Sequence, residues 1–165
     1  MSRIVEIRIA ELFAGKSGEI ILTTGIGSCV VIVLYDTLQR LGGMSHAILP
    51  RYAPGIGEEK ETAGPDEVGR YVSRYADQSV DMLVAQIEAL GGARTHMVAK
   101  LIGGAHMFFL LEGADGSIGL ENILAARDRL RSYNIPIESE VVGGTVGRNA
   151  RFDSTTGIVE IVTKV

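Results

Sequence analysis

Cysteine is nearly missing from this chain, with Cys29 the single one in 165 residues. One thiol cannot close an internal disulfide, and so little cysteine suits a reducing compartment. An excess of positive charge is also missing. Lys plus Arg number 16 against 20 Asp plus Glu, for a net charge of −4, which argues against nucleic acid as a partner because phosphate binding needs a basic face. Long apolar runs are absent too. The longest unbroken one, Cys29 to Tyr35, is seven residues, far short of the roughly 20 that a membrane helix needs, so no membrane insertion is expected. The opening Met1-Ser2-Arg3-Ile4-Val5-Glu6-Ile7 carries charge where a signal peptide keeps its apolar stretch. No secretion signal is therefore expected, and cytoplasm is the expected setting.

What is present is an ordinary globular balance, 46% hydrophobic and 22% charged, which excludes a disordered or fibrous chain. The length suits one domain over residues 1–165, able to bury roughly two-thirds of its unfolded surface without a metal or disulfide staple. Glycine is the outlier, at 21 residues clustered as Gly25 and Gly27, Gly42-Gly43, Gly91-Gly92, Gly103-Gly104, Gly143-Gly144 and Gly147. Each cluster borders an apolar segment, the pattern of tight turns joining short elements.

Alternation at Val5, Ile7 and Ile9 predicts a strand, and Glu19–Thr23 a second. Cys29–Tyr35 is short and rich in β-branched residues, which predicts a buried strand. Leu41–Leu49 returns as its partner, and residues 50–65 form one long loop. Pro65 is expected to open a helix that runs through Val68, Tyr71, Val72, Tyr75, Met82, Leu83, Ile87 and Leu90 to Gly91-Gly92. Strands follow at His96–Ile102 and His106–Leu111, then a shorter helix at Leu120–Tyr133. Ile135–Val142 and Ala150–Val165 supply the last strands, turning at Ser154–Gly157. The expected fold is a single α/β domain with one long helix and a mixed, largely antiparallel sheet.

Few residues here can supply a nucleophile or a base. Cys29 follows the glycine loop at the mouth of its strand, and a hairpin closed on Asp36–Gln39 pairs it directly with His46. Opposed residues share a face with Cβ atoms about 4.5–5.5 Å apart, and a histidine so placed can turn a thiol into a nucleophile. The plainer reading leaves Cys29 a small buried hydrophobe and His46 a satisfied core histidine. His96 and His106 flank Gly103-Gly104 with no further ligand at metal spacing, so no metal and no cofactor are expected. Gly25-Ile26-Gly27 lacks the third glycine and the helix of a dinucleotide fingerprint. Gly143-Gly144-Thr145-Val146-Gly147-Arg148 could cradle an anion on Arg148, although a glycine-rich turn at a hairpin end is the stronger reading.

Thr23-Thr24-Gly25-Ile26-Gly27-Ser28-Cys29-Val30, Leu34-Tyr35-Asp36, Gly42-Gly43-Met44-Ser45-His46 and Leu49-Pro50 resemble the CheD family of chemoreceptor glutamine deamidases. The likeness continues through Ala99–Met107, Asn122, Gly143-Gly144, Gly147-Arg148, Phe152-Asp153 and Thr156-Gly157. Ser45 stands where the family commonly has Asn, and Ile102 where it commonly has Phe. The resemblance implies an α/β sandwich similar to the cytotoxic necrotizing factor deamidase domain. It implies a catalytic set of Cys29, His46 and Thr23, with the Gly27 and Ser28 backbone as oxyanion donors. The implied activity converts glutamine side chains of methyl-accepting chemotaxis receptors to glutamate, and the implied partners are those receptors and the CheC phosphatase. The other class left open is a non-catalytic adaptor that binds the phosphatase or the receptors, with Cys29 merely packed.

Overall fold

The apolar run after the glycine loop is buried on both faces, and its two faces build two different cores. In the computed structural model, which describes residues 2–53, 64–106 and 117–164, this run is a strand at Val30–Asp36. Val30, Ile32 and Leu34 join a cluster with Val80, Leu83, Val84, Ile87, Ala125, Ala126 and Leu130. Val31, Val33 and Tyr35 join a second cluster with Val5, Ile7, Ile21, Ile26, Ala150 and Phe152. A period of two therefore sends alternate side chains of one strand into separate layers. The layers are helices, sheet and sheet.

The strands are β1 (Arg3–Glu6), β2 (Glu11–Gly15), β3 (Glu19–Ile26), β4 (Val30–Asp36), β5 (Leu41–Ala47), β6 (Tyr71–Val72), β7 (Met97–Gly103), β8 (Ile137–Val142), β9 (Arg148–Asp153) and β10 (Ile158–Thr163). One sheet has the order β6-β2-β5-β4-β7-β8 and the other β1-β3-β9-β10. Among the described strands, β1 with β3 and β7 with β8 are the parallel neighbours. The largely antiparallel expectation stands, but as two stacked sheets rather than one. Among the described residues the α-helices are α1 (Ala76–Ala89) and α2 (Ile118–Ser132), which pack on the first sheet. No described helix is long and apolar enough to cross a membrane.

Two expectations are corrected, and one strand lacks a sequence signal. The helix expected from Pro65 begins at Ala76. Ahead of it, the Asp66 carboxylate accepts hydrogen bonds from the N–H groups of Val68, Gly69 and Arg70 at 3.0, 3.0 and 2.8 Å. Gly69 has φ +106°, and Tyr71–Val72 pairs with β2. A side chain that captures three amides competes with the helix ladder and holds a turn instead. The one-long, one-short pair of helices becomes two of 14 and 15 residues. Strand β2 was read from no sequence signal. The closing signal was correct: Gly91 N–H bonds Glu88 O and Gly92 N–H bonds Ile87 O, with Gly91 at φ +108°, the paired bonds of a Schellman cap. The expected strand at His106–Leu111 and the loop at 50–65 fall largely outside the described residues. His106 itself is in no strand.

Candidate active site

Thr23 lies on β3 and His46 on β5, so the two face each other from different sheets. Both are buried, and Thr23 Oγ1 is 2.7 Å from His46 Nδ1. The hydroxyl has one hydrogen, and it is donated to the Ile7 carbonyl at 2.8 Å. Its oxygen can then only accept from the imidazole, which places the ring hydrogen on Nδ1 and leaves Nε2 as a bare lone pair. His46 Nε2 is buried without a hydrogen-bond partner among the described residues. Burial pushes the imidazole down to about 4, so it is neutral at physiological pH.

Cys29 precedes β4 on the bend formed by residues 27–29 and is half-buried. Its expected pairing with His46 is corrected. In the hairpin Val31 is opposite His46 and Asp36 opposite Leu41. The turn widens because Asp36 Oδ1 accepts from Leu38 and Gln39 N–H at 2.9 and 2.8 Å. Arg40 N–H then reaches back to the Asp36 carbonyl at 2.9 Å, with Arg40 at φ +56°. The register is thereby displaced by two residues, which exchanges partners without exchanging faces. On a continued ladder His46 becomes the diagonal neighbour of position 29, a separation still within reach of longer side chains. Burial pushes the Cys29 thiol up, partly offset by its own backbone N–H. The resting pair is thus a neutral thiol and a neutral imidazole, not the ready thiolate that a Cys–His pair suggested.

The loop that carries Cys29 is tied down through its carbonyls. Gly104 N–H bonds Cys29 O at 2.7 Å, and Ala105 N–H bonds Gly27 O at 2.9 Å. Asn122 Nδ2 on α2 bonds Ser28 O at 2.9 Å and Ile48 O at 3.2 Å. A Cβ on Gly103 would strike the Cys29 carbonyl oxygen, and Gly103 holds φ +111°, so this close approach requires glycine. Among the described residues, the N–H groups of Gly27 and Ser28 donate to no backbone acceptor, and that of Cys29 reaches its own sulfur. They are the donors available to a negative oxygen beside Cys29.

The other candidates have different roles. Arg148 is buried and donates to Gly103 O at 3.4 Å and Gly143 O at 2.9 Å, so its guanidinium joins two glycine turns instead of waiting on an anion. His96 ends a short 3-10 turn, and its carbonyl accepts from Thr37 N–H at 3.1 Å. His106 N–H donates to Gly144 O at 2.8 Å. Among the described residues no cluster of three or more His, Cys, Asp or Glu could hold a metal ion. Two contributors had no role in the sequence reading, although Asn122 was named in the family likeness. The Ile7 carbonyl is a backbone atom and has no sequence signal. Asn122 did have one: it is a polar residue on the stripe shared with Ile123, Ala125, Ala126 and Leu130.

The CheD model, described as chemotactic sensory transduction, matches residues 60–163. Full-length relatives also cover the stretch holding Thr23, Cys29 and His46. A chemoreceptor glutamine deamidase CheD of Halalkalibacterium halodurans is 37% identical over 99% of this chain and 95% of its own length. A probable chemoreceptor glutamine deamidase CheD 2 of Geobacter metallireducens is 36% identical, over 98% of this chain and 94% of its own. A probable chemoreceptor glutamine deamidase CheD of Clostridium botulinum is 35% identical, over 96% and 92%.

Proposed function

Since the chain belongs to the CheD family, we propose that it is a chemoreceptor glutamine deamidase whose chemistry runs on Cys29, His46 and Thr23. It hydrolyses glutamine side chains of methyl-accepting chemotaxis receptors to glutamate. The observation that carries the assignment of residues is the chain from the Ile7 carbonyl through Thr23 Oγ1 to His46 Nδ1. It leaves Nε2 as the base, which is what a thiol of raised pKa needs.

His46 Nε2 takes the Cys29 proton as sulfur attacks the carboxamide carbon. The carbonyl electrons move to oxygen, and the oxyanion is met by the N–H groups of the Gly27–Cys29 backbone. When the intermediate collapses, the C–N bond breaks and His46 gives its proton to the departing ammonia. Water then attacks the thioester with His46 again as base, and glutamate and the free thiol are released. Thr23 keeps the ring upright and in one tautomer throughout, the role of the third member of a triad. The charged imidazolium exists only during turnover, because burial disfavours it at rest.

The same proposal includes a cytoplasmic setting, action on the cytoplasmic region of the receptors, and CheC phosphatase as a binding partner. It also includes the likeness to the cytotoxic necrotizing factor deamidase domain, which the layered sandwich supports. An adaptor would have no use for a base held in one tautomer beside a half-buried thiol. Mass spectrometry of a receptor cytoplasmic fragment, before and after incubation, tests the reading. Glutamine should become glutamate with wild type and not with Cys29→Ala. Equal conversion by both would favour the adaptor.

A further inference from the structure

We propose that Asn122 is a positioning residue that turns the Cys29 N–H toward the reacting oxygen and locks the nucleophile loop to the strand of the base. The proposal rests on the catalytic reading of Cys29 and His46. Asn122 is fully buried, and its amide nitrogen bonds Ser28 O and Ile48 O at once. An amide nitrogen has two hydrogens, so each carbonyl takes one. One carbonyl belongs to the peptide that ends in Cys29, and the other lies two residues beyond His46.

The geometry of that peptide explains what the first bond does. A trans peptide is planar, with C=O and N–H pointing opposite ways. Drawing Ser28 O toward α2 therefore turns Cys29 N–H to the opposite side. The neighbouring carbonyls, Gly27 O and Cys29 O, are held by the Ala105 and Gly104 N–H groups. Those two bonds anchor the loop ends but leave the peptide between Ser28 and Cys29 free to rotate. Asn122 alone among the described side chains decides which way it faces.

Energetics argue against a purely packing role. Asn122 Oδ1 is buried without a partner among the described residues, and a buried polar atom left unpaired is costly. Ala125 and Ala126 occupy the same helix stripe without that cost, and alanine is also the better helix former. An asparagine kept there is explained by its two donated hydrogen bonds.

The test uses steady-state deamidation of a receptor cytoplasmic fragment by the full chain, with Cys29→Ala as the blank. Asn122→Ala should lower kcat by about 10²-fold, as loss of an oxyanion donor does. KM should stay within about threefold, because the lost interaction serves the transition state. Asn122→Asp keeps the shape but at neutral pH has no N–H, so it should be as slow. Circular dichroism and thermal melting identify folded variants, and the ¹H–¹⁵N resonance of Cys29 should move in both while β4 resonances stay. A folded Asn122→Ala with wild-type kcat, or with an unmoved Cys29 amide, overturns the role of Asn122. A wild type no faster than Cys29→Ala overturns the catalytic reading instead, while the Cys29 amide still reports on the peptide.

Discussion

Thr23 Oγ1 stands 2.7 Å from His46 Nδ1 while giving its own hydrogen to the Ile7 carbonyl at 2.8 Å. The direction of the second bond dictates the first. An oxygen whose hydrogen is already donated can only accept, so the imidazole must carry its proton on the side facing β3. A neutral base with its lone pair on Nε2 follows from a backbone carbonyl at position 7. This relay crosses from one sheet to the other, so the proposed catalytic geometry depends on how the two layers stack.

Substitutions at position 23 separate the hydroxyl from the side chain's shape. Thr23→Ser keeps an oxygen that can pass on the same relay and should retain most of the rate. Thr23→Val keeps the branched outline but leaves Nδ1–H and the Ile7 carbonyl without this partner. Its rate should fall by about 10²-fold through misalignment, with a loss of about 1–3 kcal/mol in stability. Initial deamidation rates and urea midpoints for both variants decide the matter. A fully active Thr23→Val would reduce the site to a dyad.

Loss of the proposed nucleophile should be nearly all-or-none. Cys29→Ala and Cys29→Ser should each lower turnover by roughly 10³-fold or more, while stability changes by no more than about 1 kcal/mol because the side chain is half-buried. His46→Ala should match them in rate but bind receptor normally. Alkylation of Cys29 by iodoacetamide gives an independent reading. Because burial raises the thiol, its rate should climb through the alkaline range without a plateau near neutrality. A plateau there would mean that a thiolate–imidazolium pair exists at rest.

Acid should weaken the fold through His46. The ring titrates near 4 in the folded chain against an ordinary value of 6.5, so between these limits the unfolded chain binds the additional proton. Stability is then full above about 6.5 and falls as pH drops toward 4, by on the order of 3 kcal/mol in total. The urea midpoint measured from pH 7 to 4 should decline less steeply in His46→Ala than in wild type. Equal slopes would show that His46 is not the group held neutral. The same depression keeps the base functional in mild acid, so kcat/KM should persist well below pH 6.5.

Gly103→Ala probes the contact beneath the nucleophile loop. A methyl group there meets the Cys29 carbonyl oxygen and the Ile26 side chain, on a backbone at φ +111°. Strain of about 1–3 kcal/mol is expected, released by displacing the loop. Turnover should fall further than stability alone explains, and a drop in kcat at temperatures well below the lowered Tm is the signature. Unchanged kcat would show that Cys29 tolerates movement of its own backbone.

Much of this was legible because it depends on local pattern. Seven apolar, largely β-branched residues can only be a buried strand, and β4 is one. Glycine pairs closed α1, sat within β5 and bordered β7 and β8, since a left-handed or close-packed backbone favours glycine. Residues 65–75 misled because Tyr71, Val72 and Tyr75 have helical spacing. The Asp66 carboxylate and pairing with β2 outweighed that spacing, and neither is visible until the chain folds back.

The chain by itself determined which groups could do chemistry: one thiol, three histidines, and a glycine loop that frees backbone N–H groups beside the thiol. Tertiary structure alone decided how they meet. The register of β4 with β5 was set by the Asp36 side chain inside the turn, which made His46 the partner of Val31 and not of Cys29. The tautomer of His46 was set by a carbonyl 39 positions earlier in the chain. A one-dimensional pattern records the identity and spacing of side chains, whereas a proton's position depends on which acceptor the packing of two sheets brings within hydrogen-bond distance.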